Sequence, residues 1–398
     1  MTSINDYREI APRGTVDFII RMTERVKGRR FLHVSSTRYG GGVAEILHRT
    51  GPILTELGVE VSWEVITGNP LFYSTTKAIE SALQGTEQVI TEEMLDTYRT
   101  VNRDNARRLP LEADVVLVHD AQPAALIEHR PASGRWVWRC HMDMSAPQRR
   151  VWAFLRRYVV SYDAAVFSLP RFAPQLPIPQ YLIYPSIDPL ADKNRRLSRQ
   201  EVEAVLDRLA IPRDKPILLQ VSRFDRFQDP VGVINAFRLV RRHNDCRLVL
   251  AGSGTMDDPE GAAVLAEVRE ATGSDEDIHV LELPPDAHLE INALQRAATI
   301  VLQKSLREGF GLTVAEAMWK GKPVIGGAAG GITAQIIHDV TGYLVHSPEG
   351  AAFWLRYLLN NPEAISRLGG AGREHVRRNF LITRHLADYL TLLGRLTG

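Results

Sequence analysis

The sequence contains only two cysteines, Cys140 and Cys246, and they lie far apart in the chain. Neither has a second thiol at CxxC spacing or a histidine pair beside it, so neither a disulfide framework nor a structural zinc site is expected. No apolar run reaches the ~18 residues of a membrane span, and the N-terminal segment lacks the apolar core of a signal peptide. We therefore expect a cytoplasmic protein without a membrane partner.

The sequence also lacks an excess of charge of either sign. Its 48 basic and 47 acidic side chains leave a formal net charge of +1, and it has no basic stripe or nucleic-acid-binding motif. A nucleic-acid partner is therefore not expected. Any anion that the protein binds must be held by local groups.

What the sequence does contain is the composition of a globular protein, with 44% hydrophobic, 24% charged and 7% aromatic residues. Its 398 residues exceed the ~250–300 at which a single core stops growing, so two domains are expected. Short apolar runs alternate with helical stretches along most of the chain. This alternation is typical of an α/β fold in which helices cover both faces of parallel strands.

A proline-rich segment over residues 170–189 interrupts this alternation, because proline disrupts helices and central strands. The alternation then starts again, and after Pro362 only helical patterns remain. We therefore predict two doubly wound domains and a final helix, over residues 1–185, 186–375 and 376–398.

Ligands of open parallel sheets bind beyond the carboxyl ends of the strands, so functional residues are expected at the predicted strand ends. The strongest signal is residues 308–318, in which Glu308 precedes a glycine loop and Glu316 lies in the helix that follows. Amides in such a loop can hold a diphosphate, because the helix end adds about half a positive charge. Glutamates on both sides of this loop could accept hydrogen bonds from sugar hydroxyls.

Two further strand ends support an anion site in the second half. Arg223 follows a predicted strand, and a guanidinium can grip phosphate oxygens in bidentate fashion. Gly330-Gly331 follows another predicted strand and offers a turn that a ligand could approach closely.

In the first half, Gly40-Gly41-Gly42 opens a predicted helix. A tight strand-to-helix turn is the favoured interpretation, and anion binding is the weaker one. The dinucleotide fingerprint GxGxxG is absent from this loop.

Polar clusters also end two neighbouring strands of the first half. His119-Asp120 follows one strand, and Arg139 to Asp143, with His141 between them, follows the next. Two such clusters at one sheet edge indicate a binding or catalytic site. A metal site using the histidines and carboxylates is the weaker alternative, because no ligand spacing supports it.

These segments resemble the retaining glycosyltransferases of family 4, which carry two glutamates separated by seven residues. Glu308 and Glu316 match that spacing, and Arg223 matches the arginine of a Ser-Arg segment. Other segments look like the trehalose glycosyltransferring synthases of that family, namely Ser35-Ser36-Thr37, His119-Asp120-Ala121-Gln122-Pro123, Trp138-Arg139-Cys140-His141, Pro185-Ser186-Ile187-Asp188-Pro189 and residues 307–325.

The resemblance implies a GT-B fold, in which two Rossmann-like domains face each other across a cleft and the last helix crosses back to the first. It also implies retaining transfer of glucose from ADP- or UDP-glucose to the anomeric hydroxyl of glucose, which gives α,α-trehalose. No prosthetic group and no metal held by an Asp-x-Asp motif are expected, while dependence on a divalent cation stays open. The expected partners are a nucleotide sugar and glucose or trehalose, and a homodimer is compatible.

The same resemblance assigns the site residues. The catalytic residues would be His141, facing the anomeric carbon, together with Arg223 and Glu308. The donor would also contact Gly41, Gly42, Gln228, Leu283, Phe310, Gly311, Leu312 and Glu316. The acceptor would contact Asp120, Gln122, Arg139 and Asp143.

Gln228 departs from the family pattern, which usually has a lysine five residues after the arginine. Arg226 or Lys322 could supply the missing cation, or activity could be low. Three other functions stay open from the residues: a retaining trehalose phosphorylase, a sugar-nucleotide epimerase and an inactive sugar-nucleotide binder.

Overall fold

The computed structural model describes residues 2–39, 41–253 and 259–398. The chain divides into two compact units, which are Met1–Ser186 with Ile382–Gly398, and Ile187–Leu381. The division falls inside the proline-rich segment, and the final helix groups with the first unit.

Each unit contains a six-stranded sheet in which all neighbouring strands are parallel. The strands are β1 (Arg30–Ser35), β2 (Glu60–Val65), β3 (Val115–His119), β4 (Arg135–Cys140), β5 (Ala164–Phe167), β6 (Gln180–Leu182), β7 (Ile217–Val221), β8 (Arg247–Ser253), β9 (Ile278–Leu283), β10 (Ile300–Gln303), β11 (Val324–Gly327) and β12 (Gly342–Val345). The predicted α/β class with two doubly wound sheets is confirmed.

Helices connect the strands in both units. They are α1 (Thr15–Thr23), α2 (Gly41–Glu56), α3 (Pro70–Leu83), α4 (Glu92–Arg108), α5 (Arg149–Val159), α6 (Arg199–Arg208), α7 (Pro230–Arg241), α8 (Pro259–Thr272), α9 (His288–Ala297), α10 (Leu312–Trp319), α11 (Ile332–Gln335), α12 (Pro348–Leu359), α13 (Pro362–Asn379) and α14 (Ile382–Thr397).

The order of the strands places a switch point in each sheet. The first sheet runs β2-β1-β3-β4-β5-β6 and the second runs β12-β11-β10-β7-β8-β9, so the direction of winding reverses between β1 and β3 and between β10 and β7. In open α/β sheets a crevice forms at the carboxyl ends of the strands at such a point. The residues that follow these four strands are therefore the best placed to bind a ligand.

The central strands are apolar because helices cover both of their faces. Every residue of β3 and of β7 is buried, and these strands lie in two separate hydrophobic cores. The edge strands β2 and β6 are partly exposed, and β6 lies within the proline-rich segment, as expected for an edge.

The last helix, α14, is part of the first unit. Arg384 donates to the carbonyl oxygen of Tyr184 at 2.6 Å, and Nδ1 of His385 lies 2.9 Å from the same oxygen. Leu386 and Leu390 of α14 are fully buried. The first unit is therefore built from both ends of the chain.

Candidate active site

The switch point of the second sheet collects the residues that the sequence singled out there. Arg223 follows β7, and the segment containing Glu308 follows β10. The Arg223 side chain is 64% exposed and donates to Asp225 at 3.2 Å. This guanidinium is accessible at the carboxyl edge of the sheet, where an anion could reach it.

Glu308 is half-buried and is held by two side chains. Nε2 of Gln228 and the hydroxyl of Ser305 both donate to its Oε2 at 3.3 Å. Burial raises the pKa of Glu308, while these bonds and the charge of Arg223 oppose the rise. The carboxylate is thus a positioned acceptor close to Arg223.

Gly330 and Gly331 pack against the backbone of this loop. The amide of Gly331 donates to the carbonyl oxygen of Glu308 at 3.1 Å. A Cβ on Gly330, whose φ is +44°, would overlap that carbonyl group, and a Cβ on Gly331 would overlap the backbone at Phe310. The Glu308 loop makes a close approach to this turn, and the approach of a ligand to it stays a prediction.

The N-terminus of α10 is suited to hold an anion. Gly311, the residue before the helix, has φ +81° and no side chain caps the helix. Nε2 of Gln335 donates to the Gly311 carbonyl oxygen at 3.1 Å, and the Thr313 hydroxyl donates to Gln303 at 3.2 Å. A fixed backbone and a positive helix end can hold an anion at this turn, and the buried Phe310 precedes it.

Glu316 lies inside α10 and is completely buried. Nζ of Lys193 lies 3.1 Å from its Oε1 and forms an ion pair with it, while Oε2 has no hydrogen-bond partner within the described ranges. A buried carboxylate with unfilled hydrogen-bonding capacity can accept bonds from ligand hydroxyls.

The structure rules out one of the cations considered as a replacement at position 228. Lys322 precedes β11 and so lies at the amino edge of the sheet, opposite Arg223. Arg226 is already engaged, since it donates to Glu267 at 2.6 and 3.2 Å. A further lysine, Lys304, lies directly after β10 but pairs with Asp229. The sequence reading missed Lys304, because its place after a strand becomes informative only once the sheet order is known.

In the first unit, β3 and β4 bring Asp120 and His141 together. Asp120 has φ +63°, and its Oδ1 accepts the amide of His141 at 2.7 Å. Its own amide donates to the Arg139 carbonyl oxygen at 2.8 Å. Burial raises the pKa of Asp120 to about 6. The two polar clusters predicted at neighbouring strand ends therefore form one group.

Glu80 is a member of this group that sequence reasoning missed. It lies on α3, and Nε2 of Gln122 donates to its Oε1. Burial, with the charge of Asp120 beside it, raises the pKa of Glu80 to about 8. Glu80, Asp120 and Gln122 together place several hydrogen-bonding groups beside one another in the first unit.

The other residues predicted for the acceptor differ in their accessibility. Arg139 is fully buried, and its two terminal guanidinium nitrogens donate to the carbonyl oxygens of Phe167 at 3.2 Å and Ile183 at 2.6 Å, while its Nε has no hydrogen-bond partner among the described residues. Asp143 is half-buried and accepts the Ser145 amide at 2.9 Å. Acceptor contact by Asp143 and by Arg139 stays a prediction.

The remaining predicted donor contacts lie at two places. Gly41, with φ +75°, and Gly42 begin α2 after β1 at the switch point of the first sheet. Leu283 ends β9 and is buried. Gly40 lies outside the described residues, and contact of the other three with the donor stays a prediction.

Two family models match the chain. One is described as trehalose synthase, N-terminal domain, and matches residues 33–174, while the other, glycosyl transferases group 1, matches residues 202–375. The chain is 45% identical to a trehalose synthase of Pyrococcus horikoshii, over 99% of this chain and 97% of that protein. The chain belongs to the trehalose synthase family. It is therefore a glycosyltransferase enzyme of the hexosyltransferase class, and the predicted resemblance is confirmed.

The trehalose synthase family assignment is accompanied by more distant similarities. A trehalose phosphorylase of Pleurotus pulmonarius is 28% identical over 94% of this chain and 58% of that protein. An α,α-trehalose-phosphate synthase (UDP-forming) from Burkholderia xenovorans, solved with glucose-6-phosphate, has a TM-score of 0.74 and 15% identity over 92% of this chain and 100% of that chain. This second likeness shows the GT-B fold alone.

Within the described residues, no helix has the length and apolar character required to cross a membrane.

Proposed function

We propose that the protein transfers glucose from a nucleoside-diphosphate glucose to the anomeric hydroxyl of free glucose, with retention of configuration, and so forms α,α-trehalose. The observation that carries this proposal is the arrangement at α10, where Glu308 and the buried Glu316 lie on either side of an uncapped helix N-terminus. A sugar nucleotide has hydroxyls on both sides of its diphosphate, so it matches this order of groups.

The second unit would bind the donor. Glu308 would accept hydrogen bonds from hydroxyls of the transferred glucose, and Glu316 would accept hydrogen bonds from those of the ribose. The amides of Gly311 and Leu312 with Arg223 would hold the diphosphate. Stabilisation of the leaving phosphate would then come from fixed dipoles and a guanidinium, which act most strongly when they are already in place.

The first unit would bind the acceptor glucose. Gln122 is hydrogen-bonded to Glu80, and Asp120 lies close enough to Glu80 for their charges to interact, so these three residues would supply acceptors and a donor. His141 adjoins this group and would bind a sugar hydroxyl.

Retention needs no protein nucleophile in this proposal. The bond between the donor anomeric carbon and the phosphate oxygen breaks, and the acceptor oxygen bonds to the same face of that carbon. The acceptor proton passes to the departing phosphate oxygen, so the products are trehalose and a nucleoside diphosphate.

The proposal is tested by incubating the purified protein with ADP-, UDP- or GDP-glucose and glucose. We expect a non-reducing disaccharide whose two anomeric protons both have α couplings in the NMR spectrum. A β linkage would overturn retention. Conversion of the donor sugar without an acceptor would indicate an epimerase, and nucleotide binding without any turnover would indicate a binder.

A retaining trehalose phosphorylase is the second candidate, and the likeness to such enzymes over most of this chain favours it. That activity would release glucose 1-phosphate from trehalose and inorganic phosphate with no nucleotide present. Phosphorolysis faster than nucleotide-dependent synthesis would replace the first proposal with this one.

A further inference from the structure

Three histidines form a row across the carboxyl edge of the first sheet. Nδ1 of His33 lies 3.0 Å from Nε2 of His119, and Nδ1 of His119 lies 3.0 Å from Nε2 of His141. His33 and His119 belong to β1 and β3, and His141 follows β4. Because both nitrogens of His119 face other imidazoles, this residue is not available to a metal, which removes a ligand from the metal alternative.

The protons in this row can be arranged in only two ways. Burial lowers the pKa of His33 to about 3, and it lowers the pKa values of His119 and His141 well below their usual range, so all three rings are neutral near pH 7. A neutral imidazole has one N–H and one acceptor nitrogen. In one arrangement His33 donates to His119 and His119 donates to His141. In the other, His141 donates to His119 and His119 donates to His33.

The buried end of the row, at His33, distinguishes these two arrangements. His33 is 1% exposed, and its Nε2 has no hydrogen-bond partner in the described part of the chain. The rings of Phe31 and Tyr389 pack beside it. Orphaned buried N–H groups are rarer than unfilled acceptors, so the proton of His33 belongs on Nδ1. His33 then donates to His119, and His119 donates to His141.

We propose that His33 and His119 are positioning residues that hold His141 as its Nδ1–H tautomer, so that His141 presents a hydrogen-bond donor to a sugar hydroxyl. The tautomer follows from the row itself, and only the identity of the bound hydroxyl rests on the proposed function. The first unit would thus fix the direction of the hydrogen bond that its histidine makes with substrate.

The tautomer can be read in the ligand-free protein. Histidines are labelled with ¹⁵N, and long-range ¹H–¹⁵N spectra are recorded at pH 7, with single substitutions assigning the signals. We expect Nδ1–H for His33, His119 and His141. An Nε2–H signal for His141 in the unsubstituted protein would overturn the proposal.

A matched pair of variants separates positioning from packing. His119→Asn keeps an N–H at the place of Nδ1, whereas His119→Phe fills the space without a donor, and both remove the acceptor for His33. We expect kcat to fall about 10-fold in the phenylalanine variant relative to the asparagine variant, with an unchanged KM for the nucleotide sugar. His141 should keep the Nδ1–H tautomer only in the asparagine variant.

Equal kcat values in the two variants, together with an unchanged His141 tautomer, would overturn the positioning role. If His119→Phe does not fold, the spectrum of the unsubstituted protein still decides the tautomer. If that protein makes no trehalose from any donor, the proposed function fails while the tautomer assignment is judged separately by its spectrum.

Discussion

Replacing Gly330 with alanine should disturb the Glu308 loop more than backbone strain alone would. Gly330 has φ +44°, and an added Cβ would overlap the carbonyl group of Glu308, whose backbone atoms cannot rotate away. Gly273 is the matched control, because it has φ +60° but its Cβ would meet nothing within 4 Å. Gly273→Ala therefore measures left-handed strain without a clash.

The expected magnitudes follow from these two terms. The left-handed conformation costs an alanine about 1–2 kcal/mol, and forcing an extra methyl into a packed site adds about 1–3 kcal/mol. We thus expect a loss of about 2–5 kcal/mol for Gly330→Ala. For a domain of about 150–250 residues, each 1 kcal/mol lowers the melting temperature by about 2–4 °C.

The assay combines thermal unfolding with calorimetric titration of a nucleoside-diphosphate glucose. Gly330→Ala should lower the melting temperature more than Gly273→Ala does. It should also weaken donor binding at least about 10-fold, equivalent to about 1.4 kcal/mol, because Glu308 must move from Gln228 and Ser305. Equal melting temperatures in the two variants, with unchanged donor affinity, would refute the reasoning.

Three further predictions concern single carboxyl or amide groups. Glu308→Gln and Glu308→Ala should each lower the rate of glucose transfer by about 10²–10³-fold with an unchanged melting temperature. The exposed control Glu363→Gln should be fully active. Normal turnover in both Glu308 variants would remove this residue from the mechanism. Gln228→Lys should lower the donor dissociation constant about 3–10-fold by placing a cation beside the phosphates, and the neutral Gln228→Met should not; a constant that fails to fall contradicts this. Burial raises the pKa of Glu80 to about 8, whereas its usual value is near 4.5. Between these two pH values the folded state therefore holds a proton on Glu80 that the unfolded state has lost. Glu80 should thus make the free energy of unfolding fall as pH rises from about 4.5 to about 8, with no further fall above that. The melting temperature of Glu80→Gln should lack that decline, and parallel pH curves for the two proteins would count against a buried proton.

The donor loop could be predicted from sequence because its signal is local. Glu308, the glycine turn and Glu316 lie within one strand-loop-helix segment, and the structure places Glu308 in the loop and Glu316 in α10. For Lys322, by contrast, closeness in sequence did not predict its place in the fold. It lies close in sequence to this motif, but α10 carries the chain from the carboxyl edge of the sheet to the amino edge.

The rest of the candidate site depends on contacts between distant segments. Glu80 looks like a solvated residue of the amphipathic α3 until packing brings it to Gln122. His33 is a lone histidine in a buried strand, and its neighbours become apparent only when β1, β3 and β4 are in register. The strand β2 is likewise hard to predict, because its partly exposed edge carries glutamates and it shows no continuous apolar run.

The pairing of α14 with Tyr184 has a consequence for biosynthesis. Residues 1–186 leave the ribosome first, yet the faces of α1 and α2 that contact α14 stay uncovered until the segment that supplies Leu386 and Leu390 has been translated. The second unit is continuous in sequence and can close earlier. Nascent chains of this enzyme should therefore carry an incomplete first half that chaperones must shield during the remainder of synthesis.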